Sequence, residues 1–178
     1  QRLEQCIKTP TAALVVEPLV QGAGGMAMVR PEFLQKVESL IRQSGALLIA
    51  DEVLTGFGRC GSLFAFQQAG VRPDLIALSK GLTGGFLPMG ITMASEKIYQ
   101  TFIGDDPQLT LWHGHSFTAN PLGCAAANAS LDLLINNPDS YQKFEAKHIN
   151  HLIELSKHPK VEHPRLKGTI AAFDIAAT

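Results

Sequence analysis

Three short apolar runs constrain this chain more than any other feature. They lie at residues 12–16, 46–50 and 75–78, the last opened by Asp74 as a strand over 74–78, and each stops at polar or Pro residues: Glu17-Pro18, Asp51-Glu52 and Ser79-Lys80. Runs of that length, bounded in that way, read as buried strands. Between the first two, Pro31 opens a helical pattern. Leu34, Val37, Leu40 and Ile41 share one face, and Gly45 stands where a left-handed C-cap is needed. A fourth strand is expected over 90–94, then a short helix capped by Ser95 with Glu96 and Lys97 in its first turn. Asn120-Pro121 opens an Ala-rich helix to about Ile135, and Asp139 or Ser140 caps a more polar one to about Lys157. Pro159 and Pro164 bracket a linker, and 168–176 reads as a last strand with no partner after it. Strands that alternate with helices predict an α/β fold, a mostly parallel sheet with flanking helices, whose site lies at the strand C-termini.

Composition excludes several classes. The chain has 178 residues, 15 Lys plus Arg against 16 Asp plus Glu, and a formal charge of −1, which argues against a nucleic-acid clamp or a polybasic membrane surface. At 46% hydrophobic and 17% charged it has the makings of a buried core. The longest stretch without Asp, Glu, Lys or Arg, residues 107–131, carries His113, His115, Asn120, Pro121 and Asn128, so no membrane span is expected. Cys6, Cys60 and Cys124 form no CxxC pair, and no secretory leader is visible. Together these point to a reducing, cytoplasmic setting. The chain does not begin with Met, and it reads as cut at both ends.

Asp51 and Lys80 carry the chemistry. Each stands at the end of an apolar strand, Lys80 after Ser79, where a charge is costly unless it meets a partner. Taken singly, Asp51 reads equally as a cap or turn acid, and Lys80 as a snorkelling amine or one paired with Asp51 itself. Taken together, an acid and an amine on neighbouring strands suit pyridoxal phosphate. The amine condenses with the cofactor aldehyde, and the acid keeps a proton on the ring nitrogen. The run Gly56-Phe57-Gly58-Arg59-Cys60-Gly61 matches GxGxxG, yet residues 51–55 separate it from the strand, so it reads as a structural loop rather than a dinucleotide site. His113 and His115 lack a third ligand at a familiar spacing, and no metal site is expected. Ser116 among backbone N–H groups suits a phosphate better. Cys60 and Cys124 read as buried small side chains.

In order along the chain, Glu17-Pro18 with Gln21-Gly22, Asp51-Glu52-Val53 with Thr55-Gly56-Phe57-Gly58-Arg59, Ser79-Lys80-Gly81 and Asn120-Pro121-Leu122 resemble the class III aminotransferases, fold-type I pyridoxal-phosphate enzymes. The resemblance implies that Lys80 is the Schiff-base lysine and proton shuttle, and that Asp51 pairs with the pyridinium nitrogen. It further implies that Val53 packs on the ring. Ser116, with His115 beside it, binds the cofactor phosphate of the neighbouring subunit in a homodimer, and Gly114 lines the acceptor pocket with Lys80. Residues 1–158 correspond to the second half of the large domain, and 159–178 to a linker and the start of the small C-terminal domain.

Within the family, the segments EPLVQGAGGM, LTGGFLPMGITMAS and HGHSFTANPLGCAAANASL are similar to the branch that aminates 8-amino-7-oxononanoate in biotin synthesis. Its expected donor is S-adenosylmethionine, with lysine as the other candidate. Leu54, where ornithine and 4-aminobutyrate aminotransferases usually carry Gln, weighs against those ω-amino-acid enzymes. A reading from another class is a catalytically incomplete piece that serves only as a fold or interaction module.

Overall fold

A computed structural model describes residues 2–7, 10–112 and 114–176. The strands are β1 (Ala13–Val16), β2 (Val20–Gln21), β3 (Ala27–Met28), β4 (Leu47–Asp51), β5 (Leu75–Leu78), β6 (Ile91–Ala94), β7 (Val161–Lys167) and β8 (Ile170–Ile175). The helices are α1 (Arg2–Cys6), α2 (Pro31–Ser44), α3 (Glu96–Tyr99), α4 (Pro121–Asn136), α5 (Asp139–Gln142) and α6 (Phe144–Ser156).

The main sheet has the order β1-β4-β5-β6. The three apolar runs pair in parallel, Val16 against Ala50 and Asp51 against Ala77, while β6 runs antiparallel on the edge of β5. The sheet is therefore mostly parallel, as the alternating pattern predicts. Parallel pairing brings the C-terminal ends of β4 and β5 to the same edge, and with them the polar residues that end each run.

Helix α2 forms where the spacing places it. Pro31 occupies its first turn, and Gly45 closes it at φ 77°, donating its N–H to the Arg42 carbonyl at 3.3 Å. That left-handed turn is one that glycine adopts at little cost. Leu34, Val37 and Ile41 are the buried face; Leu40 is half-buried. Val37 and Ile41 pack with Ala46 and Leu48, while Leu34 joins Leu19, Val20, Cys60, Ala65, Ala69 and Val71. Ile41 is 0% exposed. Ile41→Ala should therefore lower the unfolding free energy by about 2–5 kcal/mol, read from urea denaturation; a change below about 1 kcal/mol would mean that this face is not packed as described.

Four local expectations are corrected. Ser95 stands at the start of α3, but its hydroxyl makes no capping bond and is buried without a partner among the described residues. Residues 139–157 form two helices rather than one, interrupted at Lys143, and neither Asp139 nor Ser140 caps them: Asp139 instead binds the Lys143 ammonium at 2.5 Å. The expected linker between Pro159 and Pro164 is largely strand β7. Pro164 fits there because the β7–β8 register shifts between Glu162 and Arg165, with His163 at φ 47°; an irregular edge needs no N–H from proline. Finally, β8 is not unpartnered, since β7 precedes it as an antiparallel neighbour. Asn120 does cap α4, accepting from the Gly123 N–H at 2.7 Å.

The β7–β8 hairpin is tied back to the loop after β2. Arg165 donates from Nε to the Met26 carbonyl (3.0 Å) and from Nη2 to the Gly25 carbonyl (2.6 Å) and to Asp174 (2.9 Å). Among the described residues no helix is long and apolar enough to cross a membrane.

Candidate active site

Asp51 is the last residue of β4 and is half-buried. Its Oδ1 accepts the Val53 N–H at 3.1 Å, and its other oxygen has no partner among the described residues. Asp51 lines a groove with Val15, Val16, Glu17, Gln21 and Gly24. Glu17 holds that wall together, its Oε2 accepting the Gly22 N–H at 2.8 Å.

Lys80 lies three residues beyond Ala77, the register partner of Asp51, so both reach the same sheet edge. Its backbone sits at φ 45° at the start of the 3-10 turn Lys80–Thr83. A non-glycine residue in that region is strained, and such strain gathers at working sites. Lys80 is exposed, and its amine has no hydrogen-bond or ion-pair partner among the described residues. The reading of Lys80 as an amine paired with Asp51 thus does not hold in this structure. The two line separate grooves, that of Lys80 being bounded by Phe57, Arg59, Gly81, Ser130 and Leu134. The turn is braced from both sides. The Ser130 hydroxyl of α4 donates to the Gly81 carbonyl at 3.1 Å, and the Thr83 hydroxyl to the Leu87 carbonyl at 2.5 Å. Gly81 is required by close approach, because a Cβ there would lie 2.9 Å from that of Phe57.

Val53 is half-buried just beyond Asp51. Gly114, His115 and Ser116 lie in an exposed stretch. His115 uses Nδ1 to accept the Phe117 N–H at 3.1 Å, and a Cβ on Gly114 would meet nothing within 4 Å. No described contact joins these three residues to Asp51 or Lys80. His113 lies outside the described residues, and with it the pairing of two histidines considered for a metal. Among the described residues no group of three or more His, Cys, Asp or Glu could hold a metal ion. The loop reading of the GxGxxG match holds: β4 ends at Asp51, and the next helical turn is Ala65–Ala69. Cys60 is buried, and that burial pushes its thiol up to about 12, which removes it as a nucleophile near neutral pH.

Sequence reasoning assigned no role to Glu52, Phe57, Arg59 or Ser130. Glu52 is 0% exposed, and its carboxylate accepts from the Thr55 hydroxyl (2.6 Å) and the Phe66 N–H (2.8 Å). Burial raises its pKa above the ordinary glutamate range; the Thr55 and backbone hydrogen bonds oppose the shift without cancelling it. A carboxyl whose folded pKa is raised favours folding most fully below its unfolded pKa and loses that contribution as pH rises through the folded value. Glu52→Gln should therefore gain stability relative to the wild type as pH rises from about 4.5 upward. Urea midpoints across that range would test it, and parallel curves for the two proteins would contradict it.

With this geometry in view, the chain can be set beside known proteins. The family described as aminotransferase class-III matches residues 1–178. Over 166 residues the chain is 59% identical to the adenosylmethionine-8-amino-7-oxononanoate aminotransferase of Synechococcus elongatus, covering 93% of this chain and 39% of that protein. It is 44% identical to the protein of that name from Geobacter sulfurreducens, covering 98% of this chain and again 39% of the relative. A thermostable (S)-enantioselective omega-transaminase from Thermomicrobium roseum superposes with a TM-score of 0.88 at 34% identity, over 98% of this chain and 40% of that one. An ornithine delta-aminotransferase of Plasmodium falciparum gives 0.86 at 32%, over 98% and 45%. The chain spans about two fifths of the length of these curated relatives.

Proposed function

The chain belongs to the class-III aminotransferases, and from that membership we propose that it carries the lysine–aspartate core of an enzyme that aminates 8-amino-7-oxononanoate to 7,8-diaminononanoate in biotin synthesis. The cofactor is pyridoxal phosphate and the amino donor S-adenosylmethionine. The observation that carries this reading is the 59% identity to a relative of that name, over the stretch that contains both Asp51 and Lys80. Residues 1–158 are the second half of the large cofactor-binding domain, and 159–178 begin the small one.

The side chains fit the cofactor. Among the described residues, an amine without a partner and a carboxylate oxygen without a partner stand at the ends of paired parallel strands. When bound, pyridoxal phosphate supplies an aldehyde and an electron-withdrawing ring. Lys80 Nζ would hold the aldehyde and would carry the proton that the reaction moves. Asp51, whose Oδ1 accepts the Val53 N–H, would keep a proton on the ring nitrogen. Val53 would pack against the ring. In a cytoplasmic homodimer, Ser116 and His115 of one subunit donate to the phosphate held by the other, and Gly114 leaves room for the acceptor chain. The exposure of that stretch in a single chain supports this role.

A donor–acceptor screen of the full-length protein tests the reading. S-adenosylmethionine with 8-amino-7-oxononanoate should give diaminononanoate. Product formed only with lysine would replace the donor. Turnover of ornithine or 4-aminobutyrate, without amination of 8-amino-7-oxononanoate, would favour the ω-amino-acid reading that the ornithine aminotransferase likeness keeps in view. Absence of any transamination would leave the fold or interaction module.

A further inference from the structure

The buried carboxylate of Glu52 has no part in the chemistry just described, yet every polar atom it owns is engaged. Its N–H continues the sheet ladder to the Ala77 carbonyl at 3.0 Å, and its carbonyl accepts the Gly56 N–H at 3.0 Å. Its Oε2 takes the Thr55 hydroxyl and its Oε1 the Phe66 N–H. Thr55 opens the loop that follows β4, and Phe66 lies just past its end, so one carboxylate pins both ends of the loop.

A continuous set of contacts leads from there to Lys80. Phe66 stacks on Phe64 with ring centroids 5.9 Å apart. Phe64 meets Phe57 edge-on at 5.7 Å. Phe57, held at φ 57°, presses on Gly81, the residue after Lys80. In the other direction Glu52 is bonded through the chain to Asp51 and Val53, which share their own hydrogen bond. An apolar side chain would fill the same space without the cost of burying an ionisable group. What it would lack is a fixed pair of acceptors.

We propose that Glu52 is a positioning residue: by anchoring Thr55 and the Phe66 amide, its buried carboxylate sets the placement of Asp51 relative to Lys80. This rests on the assignment of Lys80 and Asp51 to pyridoxal phosphate.

The test uses full-length protein stripped of cofactor and titrated with pyridoxal phosphate, reading the dissociation constant and the pH midpoint of the visible band, with thermal melting of the cofactor-free protein alongside. Glu52→Ala leaves two buried donors unpaired and should weaken the cofactor about tenfold or more, the scale on which supporting residues act at bound-group sites. It should also displace the pH midpoint. Glu52→Gln keeps an acceptor for the Phe66 N–H and can donate to the Thr55 oxygen, so it should restore both values to within about threefold of the wild type. Wild-type binding and midpoint in Glu52→Ala, with only the melting temperature lowered, would overturn the proposal. So would a Glu52→Gln protein as impaired as Glu52→Ala.

If Glu52→Ala does not fold, Thr55→Val decides. It removes one anchor and should move both readouts in the same direction; unchanged values overturn the proposal. A wild-type protein that develops no visible band, or a Lys80→Ala protein that keeps it, refutes the cofactor assignment instead.

Discussion

Lys80→Ala in the full-length protein should abolish the visible absorbance of bound pyridoxal phosphate and lower transamination by about 10²–10⁴-fold, the contribution of a positioned acid–base group, before any loss of covalent attachment is counted. The reasoning is geometric. Lys80 sits in a strained backbone conformation at the edge of a parallel sheet, braced by Ser130 on one side and Phe57 on the other. Among the described residues its amine meets no acid that would hold it as a structural ion pair. Nothing in the packing needs that amine, so the variant should fold with near-native stability while losing its chemistry. Loss of folding together with activity would show instead that Lys80 is structural.

The second large effect is expected at Asp51. Asp51→Asn keeps an acceptor for the Val53 N–H and therefore the local turn, but it removes the negative charge that would face a protonated ring nitrogen. Charge stabilisation of that kind is worth about 10²–10³ in turnover. The loss should fall mainly on kcat, with cofactor affinity less affected. An Asn variant within about threefold of wild type would mean that this carboxylate does not face the ring.

Much of this was legible in the sequence, for identifiable reasons. Apolar runs closed by Pro, acid or Lys marked β1, β4 and β5, because an unbroken apolar run has no polar alternation to blur it, even where one face is open as at Val15. Pro31 and Gly45 bracketed α2 because each meets a backbone requirement at that point. The direction of β6 was not legible, since an edge strand of four residues reads the same whichever way it pairs. Strand β7 was hidden by Pro164, which is tolerated only because the register slips at His163. Asp51 and Lys80 announced themselves as charges beside apolar runs. Glu52 could not: side-chain alternation along a strand says that neighbours face opposite ways, but not that one of them enters a pocket of donors built by residues 55 and 66. The separation of Asp51 and Lys80 into two grooves also had no sequence signal, because it depends on the course of the loop between them.

Lys80 is the residue proposed to hold the cofactor, and its attachment can be read chemically. Reducing the full-length protein with borohydride in the presence of pyridoxal phosphate converts an attached cofactor into a stable amine, and peptide mapping by mass spectrometry then locates it. One modified site is expected, on the peptide that contains Lys80. Modification of a different lysine, with Lys80 recovered unmodified, would contradict it.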